Sequence, residues 1–242
     1  AKRDHLFCLL QGMCVFGFNF CCFYAANAYI NSGLESVLFS MATVFNAING
    51  VIFFRQRATR RLLWANLLGF IGIVSLFWQD LVGVGLNASV LTGIGLSLLG
   101  TYGFSLGNMI SVRHQARGLD LLSTNAYAMG YGALVMLLVA LGTGAQFSIE
   151  WSAAYLGSLV YLALFGSVIG FATYFALIGR IGAGPAAYAT VVFPLIALGM
   201  STLFEGYQWT STAVLGLVLI LVGNGVMFYR PKPRATVPQG SV

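Results

Sequence analysis

Eight stretches of roughly twenty mostly apolar residues follow one another along this chain, and none carries Asp, Glu, Lys, Arg or His near its middle. A helix of about 20 such residues, rising about 1.5 Å per residue, just crosses the roughly 30 Å of hydrocarbon in a bilayer. The stretches run approximately over residues 6–29, 34–54, 62–79, 89–112, 121–145, 154–178, 185–204 and 211–229, with short connections that imply antiparallel neighbours. Only 7% of the 242 residues are charged, against roughly a quarter in a soluble domain, too few to cover a water-soluble fold. The expected fold class is therefore an all-α polytopic membrane protein of about eight transmembrane helices.

The few charges fix an orientation. Lys2 and Arg3, then Arg55, Arg57, Arg60 and Arg61, then Arg113 and Arg117, then Arg180, and finally Arg230, Lys232 and Arg234 all fall on alternate connections. Glu35, Asp80, Glu150 and Glu205 mark the other four, and only Asp4 and Asp120 share the basic side. Because cytoplasmic loops collect Lys and Arg, both termini are expected in the cytoplasm, in a bacterial inner membrane. The net charge of +6 comes from these short clusters rather than from one basic face, so nucleic acid is not an expected partner. The expected surroundings are lipid.

Cys8, Cys14, Cys21 and Cys22 all lie in the first apolar run, where they read as small packing residues. Gly103 with Gly107, and Gly166 with Gly170, form small-xxx-small pairs that let helices approach closely, with neighbours expected in the same chain. The Pro-bearing segment 231–242 has no periodicity and is expected to be a disordered cytoplasmic tail.

Sliding the chain on itself by 150 residues aligns Tyr24 with Tyr174, Ala26 with Ala176 and Phe54 with Phe204. Asn31, Ser32 and Gly33 then fall opposite Ile181, Gly182 and Ala183 as the turns of two helical hairpins. The first turn lies on the acidic side and the second on the basic side, so the copies are inverted, a common construction of secondary transporters.

The second copy carries Gly182-Ala183-Gly184-Pro185-Ala186-Ala187, Val191-Val192-Phe193-Pro194-Leu195, Phe204-Glu205 and Leu215-Gly216-Leu217 with Gly223. This succession resembles the last two helices of an EamA-type transporter of the drug/metabolite transporter superfamily. The first copy departs from the family pattern, with Val44 in place of a proline and Arg55 in place of a glutamate. The resemblance implies ten helices in two inverted halves, of which this chain matches helices three to ten. Residues 1–81 then read as a partial first repeat of three helices and 82–230 as a second repeat of five; the first hairpin is either cut off, which the start at Ala1 favours, or absent from a real eight-helix form.

The resemblance also implies that residues before the mid-helix proline line a central cavity. That places Thr190 and Phe193 ahead of Pro194, which kinks its helix, and by the repeat Ser40 and Thr43 ahead of Val44. Tyr24 and Tyr174, on equivalent helices, and Asn46 and Tyr102 as hydrogen-bond donors complete the expected substrate cavity. Hydroxyls, amides and aromatic rings in an apolar surround suit a small neutral or zwitterionic metabolite.

No catalytic residue, metal site or cofactor is expected. The two histidines, His5 and His114, sit at span ends, and no His-Glu-x-x-His spacing or intramembrane carboxylate pair occurs. Without a mid-membrane titratable group, the expectation is uniport or facilitated movement, or else a coupling group in the missing first hairpin. The function read from the sequence is a secondary transporter, an exporter or facilitator of small metabolites such as amino acids. The alternative is a membrane scaffold that transports nothing.

Overall fold

The computed structural model describes residues 2–30, 32–55, 59–76, 88–145, 147–148, 150–187 and 209–228, with a few isolated positions besides. Every regular element among them is helical. In chain order these are α1 (Lys2–Ala26), α2 (Ser32–Phe39), α3 (Ala42–Phe54), α4 (Arg60–Leu76), α5 (Ala88–Ala116), α6 (Leu121–Gly142), α7 (Ala153–Ile181), α8 (Ala183–Ala187) and α9 (Ser211–Phe228). Four of them, α1, α5, α6 and α7, are long and apolar enough to cross a membrane, and α3 and α9 are shorter apolar helices. The chain is an all-α polytopic membrane protein.

The second apolar stretch is two helices instead of one. Between α2 and α3 the ladder tightens, with Met41 N–H bonding to Leu38 C=O at 3.1 Å and Thr43 N–H to Ser40 C=O at 3.2 Å. Thr43 Oγ1 also donates to Ser40 C=O at 2.9 Å, so that carbonyl is satisfied without a continuous helix. For the seventh stretch only Ala183–Ala187 and isolated later positions are described; Pro194 lies outside the described residues, as does the 231–242 tail.

Helix ends follow local chemistry. The α5 and α6 C-termini close alike: Leu119 N–H reaches His114 C=O at 3.1 Å with Gly118 at φ +69°, and Ala145 N–H reaches Ala140 C=O at 2.9 Å with Gly144 at φ +70°. These six-to-one bonds need a residue in the left-handed region, which glycine enters without steric cost. At the α6 start, the Asp120 carboxylate accepts from Ser123 N–H at 2.8 Å. That bond holds the Asp120 carboxyl below its ordinary value of 3.8. A depressed carboxyl contributes stability that is full above the ordinary value and is lost as pH falls through the depressed one. Asp120→Ala is expected to lower the thermal midpoint by about 2 °C at neutral pH, a difference that closes in strong acid; midpoints measured across pH check it.

Helix α5 is the hub, packed against α1, α2, α3, α6, α7 and α8. Its glycines allow this: a Cβ added at Gly103 would meet Phe18 at 2.9 Å, and one at Gly107 would press on Val15. The core around it joins Val15, Phe104, Met109, Phe175 and Ile178, with Phe104 stacked on Tyr174 at 5.6 Å between centroids. Helices α1 and α6 cross at Gly12, where an added Cβ would strike the Ala128 carbonyl oxygen. Helices α4 and α9 pair through Gly72, whose added Cβ would lie 2.8 Å from the Gly216 carbonyl oxygen, over buried Ala65, Ile73, Ala213 and Ile220.

The first half of α7 differs. No residue of Ala153–Ile169 is buried. A Cβ at Gly166 would meet only Leu162 of its own helix, so the Gly166–Gly170 pair meets no second helix among the described residues, unlike Gly103–Gly107. The four cysteines are free thiols.

Candidate functional site

Along α5, Ser97, Thr101, Ser105, Asn108 and Ser111 recur at steps of three and four, which puts them on one helix face. All five are buried. In a membrane interior such groups must find partners within the protein. Thr101 turns back to its own helix, donating to Ser97 C=O at 2.7 Å. Ser97 Oγ has no partner and Ser111 Oγ accepts from Gln115 of the same helix, while Ser105 and Asn108 reach across.

At the centre of this seam four elements meet. Asn49 Nδ2, from α3, donates to Ser105 Oγ at 2.9 Å. One turn along, Asn108 Nδ2 donates to Asn46 Oδ1 of α3 at 3.3 Å and to Tyr174 Oη of α7 at 3.0 Å. Asn46 Nδ2 in turn donates to the Ala183 carbonyl, the first residue of α8, at 3.2 Å. Asn46, Asn49 and Asn108 are each at most 1% exposed.

The bonding is directional. The two amide hydrogens of Asn108 are spent within the protein, and the Oδ1 atoms of Asn108 and Asn49 are buried with no donor on them. An unsatisfied buried acceptor costs about 1–3 kcal/mol, so two in one cluster is a standing demand for N–H or O–H groups from elsewhere. Tyr174 Oη, which accepts from Asn108, also lies within hydrogen-bonding reach of the Asn46 side chain.

Toward the basic end the seam continues as joints between helices. Gln115 Nε2 bridges Ser111 Oγ at 3.2 Å and Phe175 C=O at 2.9 Å, fastening α5 to α7. Gln11 of α1 pairs with His114 at 3.1 Å, with both side chains nearly fully buried. Asp4 is shared by Arg113, at 3.5 Å, and Arg117. At the opposite end Asn19 Nδ2 donates to Gly100 C=O at 2.9 Å.

Of the residues expected to line a cavity, Asn46 and Tyr174 come together in this cluster. Ser40 and Thr43 are buried at the break between α2 and α3, a turn before Asn46, where the Thr43 hydroxyl is engaged in the turn itself. Tyr24 is 70% exposed and stacks on Phe20, away from Tyr174. Tyr102 is 41% exposed, its ring edge-on to Phe45 at 5.4 Å, and does not join the cluster. Thr190, Phe193 and Pro194 lie outside the described residues. The sequence reading selected Asn46 without its partner Asn108 or the neighbouring Asn49–Ser105 pair; their helical register on α3 and α5 was the available signal.

A helical bundle of membrane-crossing length, with a desolvated polar cluster held among its helices, has the construction of a membrane transporter. The sequence profile of the EamA-like transporter family matches residues 91–229, more than half of the chain. The chain belongs to that family.

Relatives extend the match beyond the profile. An uncharacterized transporter of Bacillus subtilis strain 168, YoaV, is 24% identical over 207 residues, covering 84% of this chain and 70% of the relative. A probable amino-acid metabolite efflux pump of Salmonella typhimurium is 25% identical over 228 residues, covering 91% of this chain and 74% of the pump. Among solved structures, one crystal structure superposes with a TM-score of 0.77 at 14% identity, over 91% of this chain and 75% of that one. That similarity concerns the fold.

Proposed function

We propose that this chain is a secondary transporter that exports small zwitterionic metabolites, amino acids foremost, by alternating access, without enzymatic chemistry. The carrying observation is the buried Asn46–Asn108–Tyr174 cluster with its two donorless oxygens, Asn108 Oδ1 and Asn49 Oδ1. A substrate ammonium supplies the donors these oxygens lack, and its carboxylate accepts from the Tyr174 hydroxyl. The name of the Salmonella relative supports the same substrate class.

Alternating access fits two inverted repeats, 1–81 and 82–230. The π-helical stretches Met13–Phe18 of α1 and Leu162–Ile169 of α7 start 149 residues apart, close to the offset that aligns Tyr24 with Tyr174. Such stretches mark functional sites in many helices. With the basic end in the cytoplasm of a bacterial cell, the cluster takes substrate from that side and releases it outside. Movement is uniport or facilitated, because the cluster is built of amides and hydroxyls alone.

The test is counterflow of an amino-acid panel in proteoliposomes containing this chain. Saturable exchange of at least one neutral amino acid is expected, unchanged when an ionophore collapses the proton gradient. Asn46→Ala should raise its half-saturation concentration about tenfold. Exchange that stops with the ionophore would overturn the uncoupled reading. No saturable exchange of any panel member would overturn the substrate assignment and leave the scaffold reading standing.

A further inference from the structure

A cavity of about 430 Å³ lies between α1, α3 and α5 near the basic end of the bundle. Its volume falls in the range of about 300–1,000 Å³ typical of ligand sites. Leu10 and Cys14 of α1, Phe53 of α3, and Leu106 and Met109 of α5 give it an apolar wall, and Arg113 of α5 is its charged lining residue. Leu10 is 39% exposed and Phe53 56%, so the groove opens sideways, toward the hydrocarbon that surrounds the bundle.

The arginine is underused. Its guanidinium lies 3.6 Å over the Phe7 ring, and Nη2 is 3.5 Å from Asp4, a carboxylate that Arg117 also holds. One carboxylate between two guanidiniums leaves a net positive charge. Arg113 Nη1 is buried and has no acceptor at all. An apolar trough with a cationic N–H at one end, open to lipid at the level of a helix terminus, matches an acyl chain with an anionic head. A soluble anion would leave the trough unfilled, and an apolar helix would leave the N–H unpaired.

We propose that this groove binds an anionic phospholipid of the leaflet at the basic end, its acyl chain along Leu106 and Met109 and a phosphate oxygen accepting from the guanidinium of Arg113, whose side chain is 19% exposed. The site is separate from the amide cluster and stands whether or not that cluster carries substrate. Bound lipid fills the space between α1 and α3 and completes the coordination of Arg113.

Native mass spectrometry of the delipidated chain in detergent, titrated with dioleoylphosphatidylglycerol or dioleoylphosphatidylcholine, tests it. The phosphatidylglycerol is expected to bind about tenfold more tightly, a preference that falls to within about twofold in Arg113→Gln. Leu106→Trp, which fills the trough and leaves the arginine in place, should weaken phosphatidylglycerol about tenfold, and decides the matter alone if Arg113→Gln does not fold. Inorganic phosphate should displace nothing. Equal binding of the two lipids by the unaltered chain, a preference that survives in both variants, or displacement by phosphate alone would overturn the proposal.

Discussion

Replacing Gly12 by alanine is expected to lower the thermal midpoint of the chain by on the order of 10 °C and to cut its folded yield severely. A Cβ at Gly12 would overlap the Ala128 carbonyl oxygen and come within 2.9 Å of the Gly132 backbone nitrogen. No side-chain rotation relieves a clash with backbone, so α1 and α6 must separate along their crossing. Overpacking a close contact usually costs about 1–3 kcal/mol, and a double backbone collision belongs at the upper end.

Gly130→Ala is the internal control, because it sits on the same α6 helix with nothing within 4 Å of the added Cβ. There alanine's better helix propensity, worth up to about 1 kcal/mol, acts unopposed, and the midpoint should hold or rise. Melting curves of the two variants in one detergent read the difference directly. Equal midpoints would mean that α1 and α6 do not cross at Gly12.

What the sequence makes legible follows from the solvent. Charge is expensive inside a bilayer, so the placement of Arg and Glu marks span ends sharply, and the helices α1, α4, α5, α6, α7 and α9 fall close to the apolar stretches. Facing is harder to read, because lipid is as apolar as a protein core and the usual amphipathic periodicity fades. Tyr24 and Tyr174 align perfectly in the repeat, yet Tyr24 is exposed while Tyr174 is hydrogen-bonded inside. An alignment carries position along a helix and not the neighbours that surround it.

Polar residues keep some facing information, since burying them requires partners. Ser97, Thr101, Ser105, Asn108 and Ser111 share a register, and that register points at Asn46 and Asn49. Asn108 lies 62 residues from Asn46 and 66 from Tyr174, so the pairing depends on how α3, α5 and α7 pack, which no local pattern encodes. The break between α2 and α3 was equally hidden. Ser40, Met41, Ala42 and Thr43 include neither glycine nor proline, and the turn there is held by side-chain and backbone bonds that any Ser/Thr-bearing helix could decline to make.

The amide cluster yields the second large effect. Asn108→Leu keeps the number and branching of the side chain's heavy atoms in a larger volume and removes three functions together: the donors to Asn46 Oδ1 and Tyr174 Oη, and the Oδ1 acceptor that has no partner within the protein. If a substrate ammonium bonds to that oxygen, losing it forfeits a charge-assisted hydrogen bond worth about 1.5–3 kcal/mol. The half-saturation concentration in counterflow should then rise between about tenfold and about a hundredfold. Tyr174→Phe keeps the ring stacked on Phe104 and removes only the hydroxyl, so its effect should be smaller and confined to substrates that carry a carboxylate. Stability must be read beside transport, because Asn108→Leu also strands two buried acceptors and will lower the thermal midpoint by itself. A variant that melts earlier yet exchanges amino acids at an unchanged half-saturation concentration would make the cluster a set of joints between α3, α5 and α7, with the substrate bound elsewhere in the bundle.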